Sequence, residues 1–218
     1  MDWAGDIQGV FFDMDGTLLD SEHLTDGAIE QVAKAKGLEL AVDCSRFHGV
    51  TWQETAETLI RLEPRLDDPN LVEDLQASFH TEMLRAPPQE IPGAVAFVRH
   101  VAARCPTALV SSSHRESVAA VVARLGLDEG FSLWVCAGDV GPSKPNPACY
   151  LEAAKRLELA PQNCLVFEDS QAGVEAGQAA GMRVIAVGKQ GPGARLAPWA
   201  IDHFNELPAG FVAALGAR

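Results

Sequence analysis

A chain of 218 residues, 47% of them hydrophobic, is long enough to bury one large core or a core with a smaller insert. Its formal net charge of −13 repels nucleic acid and anionic membranes, which excludes a nonspecific polyanion binder; an anionic substrate then needs a local positive site or a metal. Five scattered cysteines without a CxxC pair argue against a disulfide framework or a zinc site, so reduced thiols are expected. The N-terminal MDWAGDIQ is acidic where a signal peptide is basic, and no apolar stretch approaches membrane-spanning length. The expectation is a cytoplasmic protein without nucleic-acid or membrane partners.

The first apolar run, Gly9–Phe12, ends in Asp13-Met14-Asp15-Gly16-Thr17. Two carboxylates two residues apart repel one another unless a turn, a helix cap, a cation or a reaction uses them. Residues 21 to about 90 then show helical periodicity (Ile29, Val32, Ala33; Ala56, Leu59, Ile60; Leu71, Leu75, Phe79) and no strand, which predicts a helical insert. Its first crossing falls near Leu19–Glu22, and the Pro-rich Ala86–Gly93 is the return linker. Beyond it, the continuous apolar runs Thr107–Val110, Leu133–Cys136, Cys164–Phe167 and Val184–Val187 read as strands buried on both faces. Helix-like stretches lie between them at Arg115–Leu125, Pro147–Leu157 and Gly173–Ala180. The alternation predicts a doubly wound parallel α/β core of residues 1–20 and 91–218, with the helical insert at 21–90.

In an open parallel sheet, ligands bind outside the carboxyl ends of the strands. Here those ends carry Asp13, Asp15 and Gly16; Ser111, Ser112 and Ser113; Lys144; and Glu168, Asp169 and Ser170. Asp13 and Asp169 are hard oxygen ligands suited to Mg²⁺. Asp13 is placed to attack phosphorus and Asp15 to move the proton, with Lys144 and Ser111 neutralising the developing charge. Each cluster alone has a plainer reading: turn chemistry for the aspartates and serines, a solvated lysine, a helix cap at Glu168–Ser170. Their convergence on one edge of the sheet favours the chemical reading.

Four segments, FFDMDGTLLDSE, ALVSSS, SKPNP and VFEDSQAGVEAGQAAGM, resemble in order the four motifs of the haloacid dehalogenase-like (HAD) phosphohydrolases. The likeness is to the subgroup of β-phosphoglucomutase and the sugar-phosphate phosphatases, which carries a helical cap after the first motif. It covers essentially the whole chain. It implies a Rossmann-like core, Mg²⁺ as cofactor, and hydrolysis of a small phosphate monoester through an aspartyl-phosphate. By the same resemblance Asp13 is the nucleophile, Asp15 the general acid/base, Ser111 the phosphate-binding hydroxyl with Gly16 and Ser112 beside it, and Lys144 the charge-stabilising amine. Asp169 and Glu168 complete the metal site with Asp13 and the backbone carbonyl of Asp15.

The segment FHGVTWQE resembles the part of the cap that faces the site, which puts forward His48, Gly49, Val50 and Trp52 as specificity residues. The alternative is a phosphomutase of the β-phosphoglucomutase type. Against it, Thr25 and Trp52 stand where the mutase carries a histidine and an arginine, and tryptophan does not replace a bidentate phosphate contact. A non-enzymatic phospho-acceptor module is the more distant alternative, opposed by the helical insert and the Asp-x-Asp pair. A monomer is expected.

Overall fold

The computed structural model describes residues 6–208 and 210–215. Six parallel strands form one sheet: β1 (Gly9–Phe12), β2 (Thr107–Val110), β3 (Leu133–Val135), β4 (Cys164–Glu168), β5 (Arg183–Val187) and β6 (Trp199–Ile201). Their spatial order is β3-β2-β1-β4-β5-β6, so the direction of winding reverses at β1. Ligand crevices form at such reversals, outside the carboxyl ends of the strands. β1 and β4 are fully buried along their length, as strands covered on both faces must be. The predicted strands hold to within a residue at each end; β6 is an additional short edge strand.

Strand alternation sends Val10 and Phe12 to one face and Phe11 to the other. The first face packs on α4 (Ala94–Ala102) and α5 (Arg115–Leu125) and on the C-terminal α8 (Phe211–Ala214). Its centre is aromatic: Phe12 stacks on Phe167 with centroids 5.4 Å apart, and Phe97 meets Phe167 edge-on at 5.2 Å. The second face packs on α6 (Ala148–Arg156) and α7 (Gln171–Ala179) through smaller side chains such as Ala153, Ala154, Val174 and Ala176.

Helices α1 (Glu22–Ala35), α2 (Trp52–Leu62) and α3 (Leu71–Arg85) form the inserted cap. They surround a separate apolar cluster built from the periodic positions Ile29, Val32, Ala33, Ala56, Leu59, Leu71 and Leu75. α2 begins with a capping box in which Thr51 accepts from Glu54 N while the Glu54 carboxylate reaches back to Thr51 N. The two crossings between cap and core run side by side. Asp20 N donates to Gln89 O and Ile91 N to Leu18 O, each at 2.9 Å, around an antiparallel bridge between Leu19 and Glu90. All five cysteines are free, and no described helix is long and apolar enough to cross a membrane.

Candidate active site

β1 delivers Asp13 at its carboxyl end, where Asp13 N continues the ladder by donating to Phe167 O at 3.0 Å. Lys144 arrives from the loop between β3 and α6, with its side chain only 1% exposed. Its Nζ donates to Asp13 Oδ1 and Glu168 Oε1, both at 2.6 Å, and to Val110 O at 3.1 Å. All three ammonium N–H bonds therefore have acceptors. Burial alone would push the Lys144 pKa down, but the carboxylates of Asp13 and Glu168 outweigh it and hold the amine charged, above its ordinary value. For Asp13, burial and the nearby Glu168 push the pKa up, and Lys144 pulls it back.

Asp15 stands in a different setting. Ser21 Oγ donates to its Oδ1 at 2.7 Å and Ser113 Oγ to its Oδ2 at 3.0 Å, so hydroxyls hold this carboxyl. Burial raises its pKa against the pull of those two donors. Burial thus raises both carboxyls, and what distinguishes them is the partner that orients each: the Lys144 ammonium at Asp13, two serine hydroxyls at Asp15. Ser111 is buried at the end of β2, where its Oγ accepts from Ser113 N at 3.0 Å. Ser112 turns the other way and donates to Gly49 O of the cap at 2.8 Å.

Asp13, Glu168 and Asp169 each offer a carboxylate oxygen within 4.8 Å of the others. Of the three, Glu168 is the most fully engaged. Its Oε1 accepts from Lys144 and, at 2.8 Å, from Tyr150 OH, while its Oε2 accepts from Asp169 N, Ser170 N and Ser170 Oγ. Asp169 accepts from Thr17 Oγ1 at 3.3 Å and has its pKa raised by burial and by Glu22. Glu22, the first residue of α1, has a buried Oε1 without a donor among the described residues. Its Oε2 lies 3.0 Å from His48 Nδ1, and His48 Nε2 lies 2.9 Å from Asp26. An all-oxygen donor set with an orphaned carboxylate oxygen at its edge fits a hard divalent cation such as Mg²⁺.

Two glycines allow this crowding. Gly16 has φ +78°, and a Cβ there would overlap the Asp169 carboxylate and lie 2.9 Å from Glu22 Cγ. Gly49 has φ +74°, and a Cβ there would overlap the Ser170 hydroxyl, so the cap backbone approaches the end of β4 closely.

Under the cap lies a cavity of about 40 Å³ lined by Asp13, Asp15, Ser111 and, from the cap, Thr25, Val50 and Trp52. The core residues singled out in the sequence thus meet in one place. The cap residues divide: Val50 and Trp52 face the cavity, Gly49 permits the close approach, and His48 is spent between two acids of α1. Sequence reasoning missed Ser21, Tyr150 and Glu22 as parts of the site. Tyr150, the only tyrosine in the chain, follows the Ser-Lys-Pro-Asn-Pro segment by three residues, and that proximity is the signal that could have found it.

A family model for haloacid dehalogenase-like hydrolases matches residues 7–181. The bifunctional riboflavin kinase/FMN phosphatase of Arabidopsis thaliana is 34% identical over 186 residues, which are 82% of this chain and 48% of that longer protein. The fructose-1-phosphate phosphatase YqaB of Escherichia coli is 32% identical over 180 residues, covering 82% of this chain and 95% of the relative. The crystal structure of β-phosphoglucomutase from Clostridium difficile shares the fold with a TM-score of 0.81 over 95% of this chain and 96% of that one, at 22% identity. The chain is an enzyme of the haloacid dehalogenase-like hydrolase family.

Proposed function

We propose that the enzyme hydrolyses a small phosphate monoester, of a sugar or a related metabolite, through an aspartyl-phosphate at Asp13 and with Mg²⁺ as cofactor. The observation that carries this reading is the contrast in partners between two aspartates two residues apart, Asp13 buried and Asp15 partly exposed. Asp13 is paired to the Lys144 ammonium, which orients it for attack, and Asp15 is held instead by the hydroxyls of Ser21 and Ser113, which orient it for proton transfer. The names of the two relatives, an FMN phosphatase and a fructose-1-phosphate phosphatase, support the monoester class.

In the first step an Asp13 carboxylate oxygen forms a bond to phosphorus as the ester P–O bond breaks, and the departing alkoxide takes its proton from Asp15. In the second step Asp15 removes a proton from water, the water oxygen bonds to phosphorus, and the P–O bond to Asp13 breaks to release phosphate. Lys144 orients Asp13 and places positive charge beside the equatorial oxygens, and Ser111 offers a hydroxyl to the same group. Mg²⁺, held by Asp13 and Asp169 with Glu168 behind them, would add cationic charge at the phosphoryl oxygens. The cap of residues 21–90 excludes bulk water when it lies over the site.

The test is phosphate release from a panel of monoesters with Mg²⁺, with EDTA and Asp13→Asn as controls. Metal-dependent release over many turnovers, lost in both controls, is expected. Release that persists in Asp13→Asn would contradict the assignment.

A further inference from the structure

Trp52, the first residue of α2, lines three adjoining cavities. One is the 40 Å³ space over Asp13 and Asp15. The second, about 370 Å³, lies between α2 and the loop that follows β3, and shares Ser111, Ser112 and Trp52 with the first. The third, about 500 Å³, lies between α3 and α5 and shares Trp52, Phe79 and Ser113 with the first. With the cap as placed, the first space has room for about one water molecule. A leaving group of several carbons must therefore extend past Trp52 into one of its neighbours. The indole is kept in place by an edge-on contact with Phe79, centroids 5.4 Å apart.

The charges around this chamber are one-sided. Beyond Asp13, its lining includes the carboxylates of Asp15, Glu22, Glu54, Glu73 and Glu116. Lys144 is the single lysine or arginine among the described lining residues, and its ammonium is fully engaged by Asp13, Glu168 and Val110 O. Arg115, at the start of α5, is turned to Asp139, with 2.6 Å between Nη2 and Oδ2. Two histidines, His80 and His114, face the third cavity, and His114 Nε2 sits 3.0 Å from the Gln76 amide nitrogen, which donates to it. A second anionic group on the substrate would meet carboxylates and an aromatic surface, with no free lysine or arginine.

Resting on the phosphatase reading above, we infer that the enzyme selects monophosphates whose leaving group is uncharged, a polyhydroxy alcohol, and rejects bisphosphates and phosphorylated sugar acids. Trp52 is the residue that sets this choice. Its face takes the C–H surface of the leaving group, while Gln53, Gln76 and the chamber carboxylates take hydroxyl protons. Like charge placed opposite like charge suppresses the wrong partner more than it strengthens the right one.

The experiment compares kcat/KM, at saturating Mg²⁺, for fructose 1-phosphate and sorbitol 6-phosphate with that for fructose 1,6-bisphosphate and 6-phosphogluconate. The neutral pair is expected to be favoured by about tenfold or more. In Trp52→Arg and, independently, Phe79→Lys, activity on the two anionic substrates should rise relative to the neutral pair by a similar factor. Equal or better turnover of the anionic pair by the wild-type enzyme would overturn the inference and leave the phosphatase reading standing. An unchanged preference in both folded variants would overturn the assignment to Trp52. Release from none of the four, nor from other monoesters, would overturn the phosphatase reading and this inference with it.

Discussion

Lys144 binds the site together because it neutralises two buried carboxylates at once. Replacing it with methionine strands Asp13 and Glu168 close to each other without a counter-charge, and breaking a buried pair in this way costs about 3–5 kcal/mol. Denaturant unfolding of Lys144→Met in EDTA should show a loss of that size, and adding Asp13→Asn to it should restore part of the stability. A loss under about 1 kcal/mol would mean that the pair is not buried as described. Asp15 supports a different prediction. Its pKa is raised by burial and restrained by the donors Ser21 and Ser113. Removing a donor to the carboxylate disfavours the ionised form, so Ser113→Ala should raise the pKa further. The alkaline limb of kcat/KM, which needs Asp15 protonated, should then move to higher pH by on the order of one unit. A limb that stays in place or moves down would contradict the acid/base role.

The residues proposed to carry the chemistry could be picked out because each lies in a loop after an apolar run, where a parallel sheet gathers its loops, and the structure brings them together. Ser21 and Glu22 could not. They lie at the crossing into the cap, and what brings them to Asp15 and Asp169 is the fold of that crossing, which the periodicity of neither neighbouring element encodes. Tyr150 escaped notice because a buried aromatic on an amphipathic helix reads first as packing, and its ring does pack while its hydroxyl serves Glu168.

Among the elements, strands buried on both faces announce themselves as unbroken apolar runs, and β1, β2 and β4 followed that pattern closely. β6 did not, since Trp-Ala-Ile is three residues long, half-exposed and preceded by a proline. The 94–102 helix has a clear apolar face but no local start signal, since its N-cap is a glycine at φ +85° and the carboxylate that accepts from Val95 N comes from Glu90, five residues earlier. The start of α2 carries the opposite signal. Thr51 and Glu54 close a capping box, and the Glu54 carboxylate also accepts from Ser143, the neighbour of Lys144. Thr51→Ala should therefore lower stability by about 1 kcal/mol. Chemical denaturation checks this, and a change below a few tenths would show that the box is not formed in solution.

At the scale of the whole molecule, the cap rests on the core through a handful of polar contacts near the site, among them Ser21 with Asp15, Ser112 with Gly49 O, Ser143 with Glu54, and His114 with Gln76. Contacts of this kind would let the cap open and close between turnovers, as the proposed mechanism requires. The cluster of acids beneath should bind Mg²⁺ in the native state alone. Mg²⁺ at about a hundred times its dissociation constant should then stabilise the wild type by about 2.7 kcal/mol. Asp169→Asn should lose most of that gain. Thermal unfolding with and without Mg²⁺ reads the difference directly, and equal stabilisation of both proteins would place the ion elsewhere.

In the proposed mechanism Asp13 carries the phosphoryl group between the two half-reactions. Rapid acid quenching of the wild-type enzyme during turnover with Mg²⁺ and fructose 1-phosphate, followed by peptide mass mapping, tests it most directly. A single phosphoryl adduct on Asp13, formed within the first turnover and absent from Asp13→Asn, is expected. Phosphate release without any adduct, or an adduct on another residue, would contradict it.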